Sequence, residues 1–253
     1  MINKYKNNKK INYIFFTKNG GHSSGPFSSL NCSFNSGDET ENILKNRNKC
    51  AQKLGIKSNN LITVNQVHGS KVIKVQKPWT YETQPIADGM VTKKENIALS
   101  ILTADCAPIL FADYKNAVIG VSHAGWKGAL SGILENTVKA MTDLGADNTS
   151  ISAFIGPCIS KKSYEVSEIF YKSFIEDNSE NLSFFYRRGN RKSLNFDLRS
   201  YIFCKLRYMG INNIKSINRD TYSEKDHFFS YRRSSHKNED LFGRQLSSIV
   251  LKN

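Results

Sequence analysis

The sequence predicts an α+β fold, a layered sandwich of sheets and helices, and three observations carry that prediction. Short apolar runs rich in β-formers crowd the middle of the chain, between 61 and 122. Segments with helical apolar spacing are interspersed among them. Pro and Gly punctuate turns without clustering into a linker, and 253 residues are enough to bury one large core. The expected organisation is a basic N-terminal tail over 1–10 followed by a single domain over 11–253, with no internal repeats.

The elements follow in order. Residues 13–17 read as a strand running into a Gly/Ser/Pro-rich turn over 18–26. Residues 40–54 read as a helix, with Thr40 as its cap and Ile43, Leu44, Cys50 and Leu54 as partial apolar spacing. Strands are expected near 61–67, 71–76, 97–103, 107–112 and 117–122. Apolar residues at 130, 133, 134, 138, 141 and 144 make a helical stripe that Gly145 stops. A strand near 150–155, helices near 165–176 and 197–208 and a strand near 214–217 come next. Last is an aromatic strand-like segment, Phe228-Phe-Ser-Tyr-Arg-Arg233, leading into a strand at 245–250.

Composition narrows the function classes. No apolar run approaches a membrane span, and the basic start is followed by too short and mixed a stretch for a secretory signal. Five cysteines without paired spacing argue against a disulfide framework and for a reducing compartment, so a cytoplasmic protein is expected. The net charge of +14 invites a nucleic-acid reading. Its basic residues are dispersed, however, apart from the N-terminal tail and the stretch 187–192. No zinc-finger spacing, RNP-like aromatic motif or GxxG clamp accompanies them. A solvated basic surface favouring anionic substrates is the expectation, without specific nucleic acid or membrane partners.

Chemistry-bearing residues sit at strand ends. Cys106 closes the apolar run from Ile97, His123 closes the run from Ala117, and His68 follows Leu61-Ile-Thr-Val64. Three readings compete. Cys106 can be a buried small hydrophobe and His123 a satisfied strand-end histidine. The two can form a nucleophilic dyad in which His123 lowers the thiol pKa. With His68 they can hold zinc by three ligands, leaving a fourth position open. No C-x-x-C or H-E-x-x-H pattern is present, and on spacing alone the first reading wins. Gly125-Trp-Lys-Gly128 can make either a tight strand-to-helix turn or an anion site at a helix start, to which Lys127 adds charge.

Six motifs shift that balance: Gln66-Val-His-Gly69, Ala87-Asp-Gly-Met-Val-Thr92, Thr103-Ala-Asp-Cys-Ala-Pro108, His123-Ala-Gly-Trp-Lys-Gly128, Ile155-Gly-Pro-Cys-Ile159 and Phe228-Phe-Ser-Tyr-Arg-Arg233. In this order, over nearly the whole chain, they resemble the YfiH-type laccase-domain family. Its members are also described as zinc-dependent purine nucleoside phosphorylases and adenosine deaminases. The resemblance implies a four-layer αββα sandwich with mixed sheets. It also implies metal ligands at His68, Cys106 and His123, with zinc as the metal and copper as a possible occupant of a His₂Cys set. Purine nucleoside and phosphate would be the small-molecule partners, with a monomer favoured.

Around those ligands, Lys18, Arg232, Arg233, Arg244 and the turn Gly125, Lys127, Gly128 are the candidates for holding phosphate. Regular strand alternation would let only one of Arg232 and Arg233 face the site. Asp105 is an acid/base candidate that a regular strand would point away from Cys106. Gln66 and Asp88 are candidate supports of the ligands, and Cys158 reads as structural. The sequence departs from the family pattern at Lys18, Asp220 and Phe242 and in the length of the stretch after Arg233. Other readings are a peptidoglycan-precursor editing hydrolase, a laccase-like copper enzyme and a basic module binding RNA or acidic partners. Five histidines are few for the many-histidine copper clusters of a laccase.

Overall fold

The computed structural model describes residues 2–6, 10–187 and 194–252, and for 2–6 the backbone alone. Most of the basic stretch singled out at 187–192 lies outside the described residues. One sheet has five strands in the order β1 (Ile2–Lys6), β2 (Ile11–Phe15), β14 (Gln245–Leu251), β6 (Ala98–Thr103) and β3 (Leu61–Ile62). The second has six, β13 (Asn213–Ser216), β9 (Ile151–Ile155), β7 (Ala107–Asp113), β8 (Val118–Ala124), β5 (Gly89–Thr92) and β4 (Val72–Lys74). A small third sheet joins β10 (Glu165–Val166), β12 (Leu194–Phe196) and β11 (Phe185–Arg187). Both large sheets are mixed, because β3 runs parallel to β6, β13 to β9 and β4 to β5 among antiparallel neighbours.

The period-2 alternation of the strands creates the layers. Tyr13 and Phe15 of β2, Leu99 and Ile101 of β6, and Ile249 of β14 face one way. They meet Leu110 and Ala112 of β7 and Val121 of β8 in a core between the sheets. The intervening residues Ile14, Ala98, Leu246 and Val250 face the other way, onto Cys50, Ala51 and Leu54 of α1 (Thr40–Leu54). On the far side of the second sheet, Ile109, Phe111 and Ala153 pack against α3 (Ile133–Thr142), α4 (Glu168–Asp177) and α5 (Leu198–Tyr208). The result is the four-layer αββα sandwich, an α+β fold.

Several elements differ from expectation for local physical reasons. The helix expected over 130–144 starts at Ile133 as α3, because Gly132 takes a left-handed φ of 90° and separates it from a preceding short helix, α2 (Trp126–Leu130). Residues 63–67 leave the strand that Leu61 begins, and β10, β11 and β12 arise from short tertiary pairings that two or three residues of pattern do not announce. Thr40 opens α1 without capping it, the flanking residue being Glu39, while Gly55 at φ 74° closes it. The segment expected as a strand around Arg232 and Arg233 is instead helix α6 (Tyr231–His236), which Ser230 caps by accepting from the Arg233 N–H.

Candidate metal centre and substrate cavity

Two loops and the end of a strand deliver the His-Cys-His set. β6 belongs to one sheet and β7 to the other, so the connection over 104–106 crosses between layers and carries Cys106 with it. Asp105 in that connection has φ 88°, a left-handed conformation that a non-glycine residue adopts under tertiary constraint. His123 lies near the end of β8, opposite Pro108 of β7. His68, also left-handed at φ 60°, sits in the loop that follows β3. The ligand atoms of His68, Cys106 and His123 all lie within 4.8 Å of one another, and the two imidazole centroids are 4.7 Å apart. His123 is buried, Cys106 half-buried and His68 exposed, so the set is reachable from outside.

Asp88 holds two of these segments at once. It precedes β5, whose register puts Gly89 opposite Ser122, so Asp88 falls beside His123. Its fully buried carboxylate accepts from His123 Nδ1 at 2.8 Å and from the backbone N–H groups of Val67, His68 and Gly69 at 3.2, 2.9 and 2.7 Å. The Nδ1–H is therefore committed to Asp88, which leaves Nε2 as the donor atom of His123. Burial works against the Asp88 carboxylate, but hydrogen bonds from His123 and the loop outweigh it and lower its pKa.

Electrostatics inside the set are those of an ion pair. Burial alone would raise the Cys106 thiol, yet the His123 and His68 rings bring it down to about 6. Burial would likewise lower His123, and the Cys106 thiolate with Asp88 raises it to about 9. A thiolate and an imidazole with a fixed tautomer are the donors a borderline metal ion takes. Gly125 makes room for them: a Cβ there would stand 2.9 Å from Cys106 Sγ and 2.9 Å from His68 Cδ2.

A cavity of about 550 Å³ opens onto the set, a size suited to a small-molecule ligand. Asp105, Gln66, Arg232 and Arg244 line it, as do Phe34, Tyr81, Trp126, Tyr164, Tyr231 and Phe242. Lys18, Gly125, Lys127, Gly128 and Arg233 are not among the lining residues. The Arg233 guanidinium is spent on the carbonyls of Thr221, Tyr222 and Phe228. Lys18 lies 6.0 Å from the Phe229 ring centroid and Lys127 5.5 Å from that of Trp126. A Cβ on Gly128 would stand 2.9 Å from the Gly69 carbonyl, so that glycine serves close approach of α2 to the His68 loop. Gly125 and Gly128 thus stand at the start of the five-residue α2 in close approach to the candidate ligands and their loop.

Arg232 and Arg244 are placed differently. Arg232 spans the Tyr164 ring at 5.6 Å and gives one guanidinium hydrogen bond, to the Glu165 carbonyl. Arg244 lies 4.8 Å from the Phe242 ring centroid and gives one, to Ser33 Oγ at 3.2 Å. Each therefore lines the cavity and keeps guanidinium N–H groups beyond that one bond among the described residues. Asp105 turns inward with both oxygens occupied, accepting from Thr221 Oγ1 at 2.7 Å, Ser230 Oγ at 2.9 Å and the Arg232 N–H at 2.7 Å. Burial raises its pKa against those hydrogen bonds. Gln66 closes a two-way bond with the Leu102 backbone, which ties the His68 loop to the end of β6. Cys158 is buried, and its thiol is pushed up to about 11 by that burial.

Sequence reasoning missed Asn31 and four aromatic wall residues. The buried Asn31 accepts from the Ser33 and Arg244 N–H groups and donates to Ser36 and Asp38, joining the N-terminal loop to the last strand. Phe34, Tyr81, Tyr164 and Tyr231 come from four separate segments, and no spacing links them.

Comparison with known proteins agrees with this architecture. The model of a family described as multi-copper polyphenol oxidoreductase laccase matches residues 12–252. A Rickettsia conorii protein named purine nucleoside phosphorylase is 36% identical over 245 residues, covering 97% of this chain and 98% of that one. A Corynebacterium glutamicum protein of the same name is 31% identical over 245 residues, with 96% of each chain covered. Among solved structures, the YfiH protein of Bacillus licheniformis superposes with a TM-score of 0.88 at 30% identity, covering 96% of this chain and 93% of that chain. Neisseria meningitidis NMB0706 superposes with a TM-score of 0.86 at 29% identity, covering 98% and 97%.

Proposed function

From the premise that the chain belongs to the multi-copper polyphenol oxidoreductase laccase family, we propose that it is a zinc-dependent purine nucleoside phosphorylase with adenosine deaminase activity. The observation that carries the proposal is the His68, Cys106, His123 set opening onto a cavity with two under-used guanidinium groups. Its relatives named purine nucleoside phosphorylase, at 31–36% identity over nearly the full chain, support the substrate class. The five histidines of the chain, with a single three-ligand His/Cys cluster among the described residues, disfavour multi-copper oxidase chemistry. No helix among the described residues is long and apolar enough to cross a membrane. Five free cysteines support the cytoplasm as its compartment.

The donor set fits zinc: one thiolate, one imidazole presenting Nε2 under Asp88 control, a second imidazole within reach, and Gly125 keeping the space clear. Zinc held there would supply Lewis acidity and activation of water beside the substrate. The chain's own residues do the rest. Arg232 and Arg244 hold phosphate by charge-assisted hydrogen bonds. In phosphorolysis a phosphate oxygen bonds to C1′ of the nucleoside as the glycosidic C–N bond breaks, and its electron pair leaves with the purine. Asp105 acts as a positioning residue, fixing the Arg232 backbone and the start of α6. In deamination, in the same cavity without phosphate, water oxygen bonds to C6 of the purine as the C6–N bond breaks, and the amino group leaves as ammonia.

Mass spectrometry of adenosine incubated with zinc-loaded protein tests the reading. Adenine and ribose 1-phosphate are expected only when phosphate is added, and inosine is expected without it. Unchanged adenosine under both conditions would overturn it.

Metal loading should also depend on pH in a defined sense. Metal binds the deprotonated donors, so protons compete. Above about 6 Cys106 is already a thiolate, whereas His123 keeps its proton up to about 9. Between those limits this pair releases about one proton per metal bound, and apparent affinity climbs about tenfold per pH unit. Below them it releases about two. Calorimetry in buffers of different ionisation enthalpy reads this directly, and a pH-independent affinity between 6.5 and 8.5 would contradict the ion pair.

A further inference from the structure

We infer that two arginine-backed aromatic pairs on the cavity wall form the subsite for the nucleobase, and that Phe242 selects a two-ring base. The inference rests on the nucleoside reading above. Phe34 and Tyr81 lie 4.4 Å apart between centroids and 31° from parallel, with the Arg47 guanidinium 5.2 Å from the Phe34 centroid. Tyr231 and Phe242 form the second pair at 5.4 Å, with Arg244 at 4.8 Å from Phe242.

These rings differ from the other cavity aromatics. Trp126 and Tyr164 contact Phe170 at 4.5 and 5.8 Å and so belong to the core. The two pairs contact no further aromatic ring among the described residues, and Tyr81 and Tyr231 are 37% and 56% exposed. Exposed tyrosines beside an apolar partner, at the opening of a cavity, are surfaces available for stacking a flat ligand.

The pairs are neighbours and are held in place. Arg244 bonds Ser33, the residue before Phe34, and Asn31 accepts from both Ser33 and Arg244 backbone N–H groups. Gly243 lets the Phe242 segment approach Phe229 so closely that a Cβ would stand 2.6 Å from its ring. Tyr81 is fixed by a hydrogen bond from its hydroxyl to Asn35 Oδ1. Arg47 is buried without a carboxylate partner among the described residues, its donors going to the carbonyls of Cys32 and Leu61 and to Thr63 Oγ1. Guanidinium groups beside both rings, Arg47 at Phe34 and Arg244 at Phe242, leave the wall rich in cationic charge, which favours an electron-rich purine over a smaller pyrimidine.

Equilibrium dialysis and steady-state kinetics test this on zinc-loaded full-length protein, with adenosine and uridine as probes. Wild type should bind adenosine about tenfold more tightly than uridine, the scale on which one base–aromatic stack is worth. Phe242→Ala should lose about tenfold in adenosine affinity and raise KM by about the same factor, with the fall in kcat/KM carried mainly by KM. Phe242→Tyr should restore both, which separates a missing ring from a disturbed fold. Adenosine affinity unchanged in Phe242→Ala overturns the inference, and with normal turnover it leaves the phosphorylase reading standing. Affinity lost in Phe242→Ala but without product from wild type leaves the base subsite standing and overturns the phosphorylase. No adenosine binding by wild type overturns both.

Discussion

Cys106→Ala is expected to leave a folded protein that holds zinc weakly and converts adenosine on the order of 10³-fold more slowly than wild type. The thiolate is one of three donors whose atoms lie within 4.8 Å, and it is the only anionic one. Removing it takes away a bond and the charge that raises His123, so the imidazolium of His123 also loses its counterpart. The fold should survive because Cys106 is half-buried in a connection and belongs to none of the three apolar cores. Metal content after dialysis, product formation and near-ultraviolet circular dichroism measured together decide it. A Cys106→Ala protein that keeps both zinc and activity within tenfold would remove the metal centre from the mechanism.

Asp88→Asn should lower zinc affinity by about 10- to 100-fold although no ligand is touched. The carboxylate accepts four hydrogen bonds, and an amide of the same shape offers one acceptor oxygen and two donors in their place. Either the His68 loop or the His123 ring then faces an N–H instead of an acceptor. Asp88→Ala goes further and leaves the loop N–H groups and His123 Nδ1 without their partner, a cost of about 3 kcal/mol in unfolding free energy. Chemical denaturation of both variants, alongside competition against a zinc chelator, separates the two effects. Equal affinities for wild type and Asp88→Asn would show that the loop orients His68 and His123 unaided.

Much of the frame was legible because its signals are local. The run from Ala98, the pair around β7 and β8 and the helix over 40–54 each carry enough apolar periodicity to be read from their own residues. Arg232 and Arg233 show where that reading failed. Five residues of aromatic and basic character fit a strand, but Ser230 caps a helical turn there and Asp105 pins it from 125 residues away in sequence. Gly125 and Gly128 illustrate the opposite case: the glycines were visible, but their purpose was not. A helix start and a clearance around side chains leave the same two letters in a sequence, and only the fold shows how close Gly125 comes to Cys106 Sγ.

The sequence by itself determined the α+β class, most of the strands, and the identity of the thiol and two imidazoles worth attention. Those properties follow from side-chain chemistry and from periods of two and 3.6 residues, which act over a few neighbours. Tertiary structure alone decided which residues meet. It set Asp88 beside His123 through the register of β5 and β8, gave Asp105 hydrogen bonds from Thr221, Ser230 and Arg232, and spent Arg233 on backbone carbonyls. It also brought Arg232 and Arg244 to the cavity wall with donors to spare, and gathered six aromatic residues around it. Those outcomes depend on packing between layers that lie far apart along the chain, where no local pattern records which donor finds which acceptor.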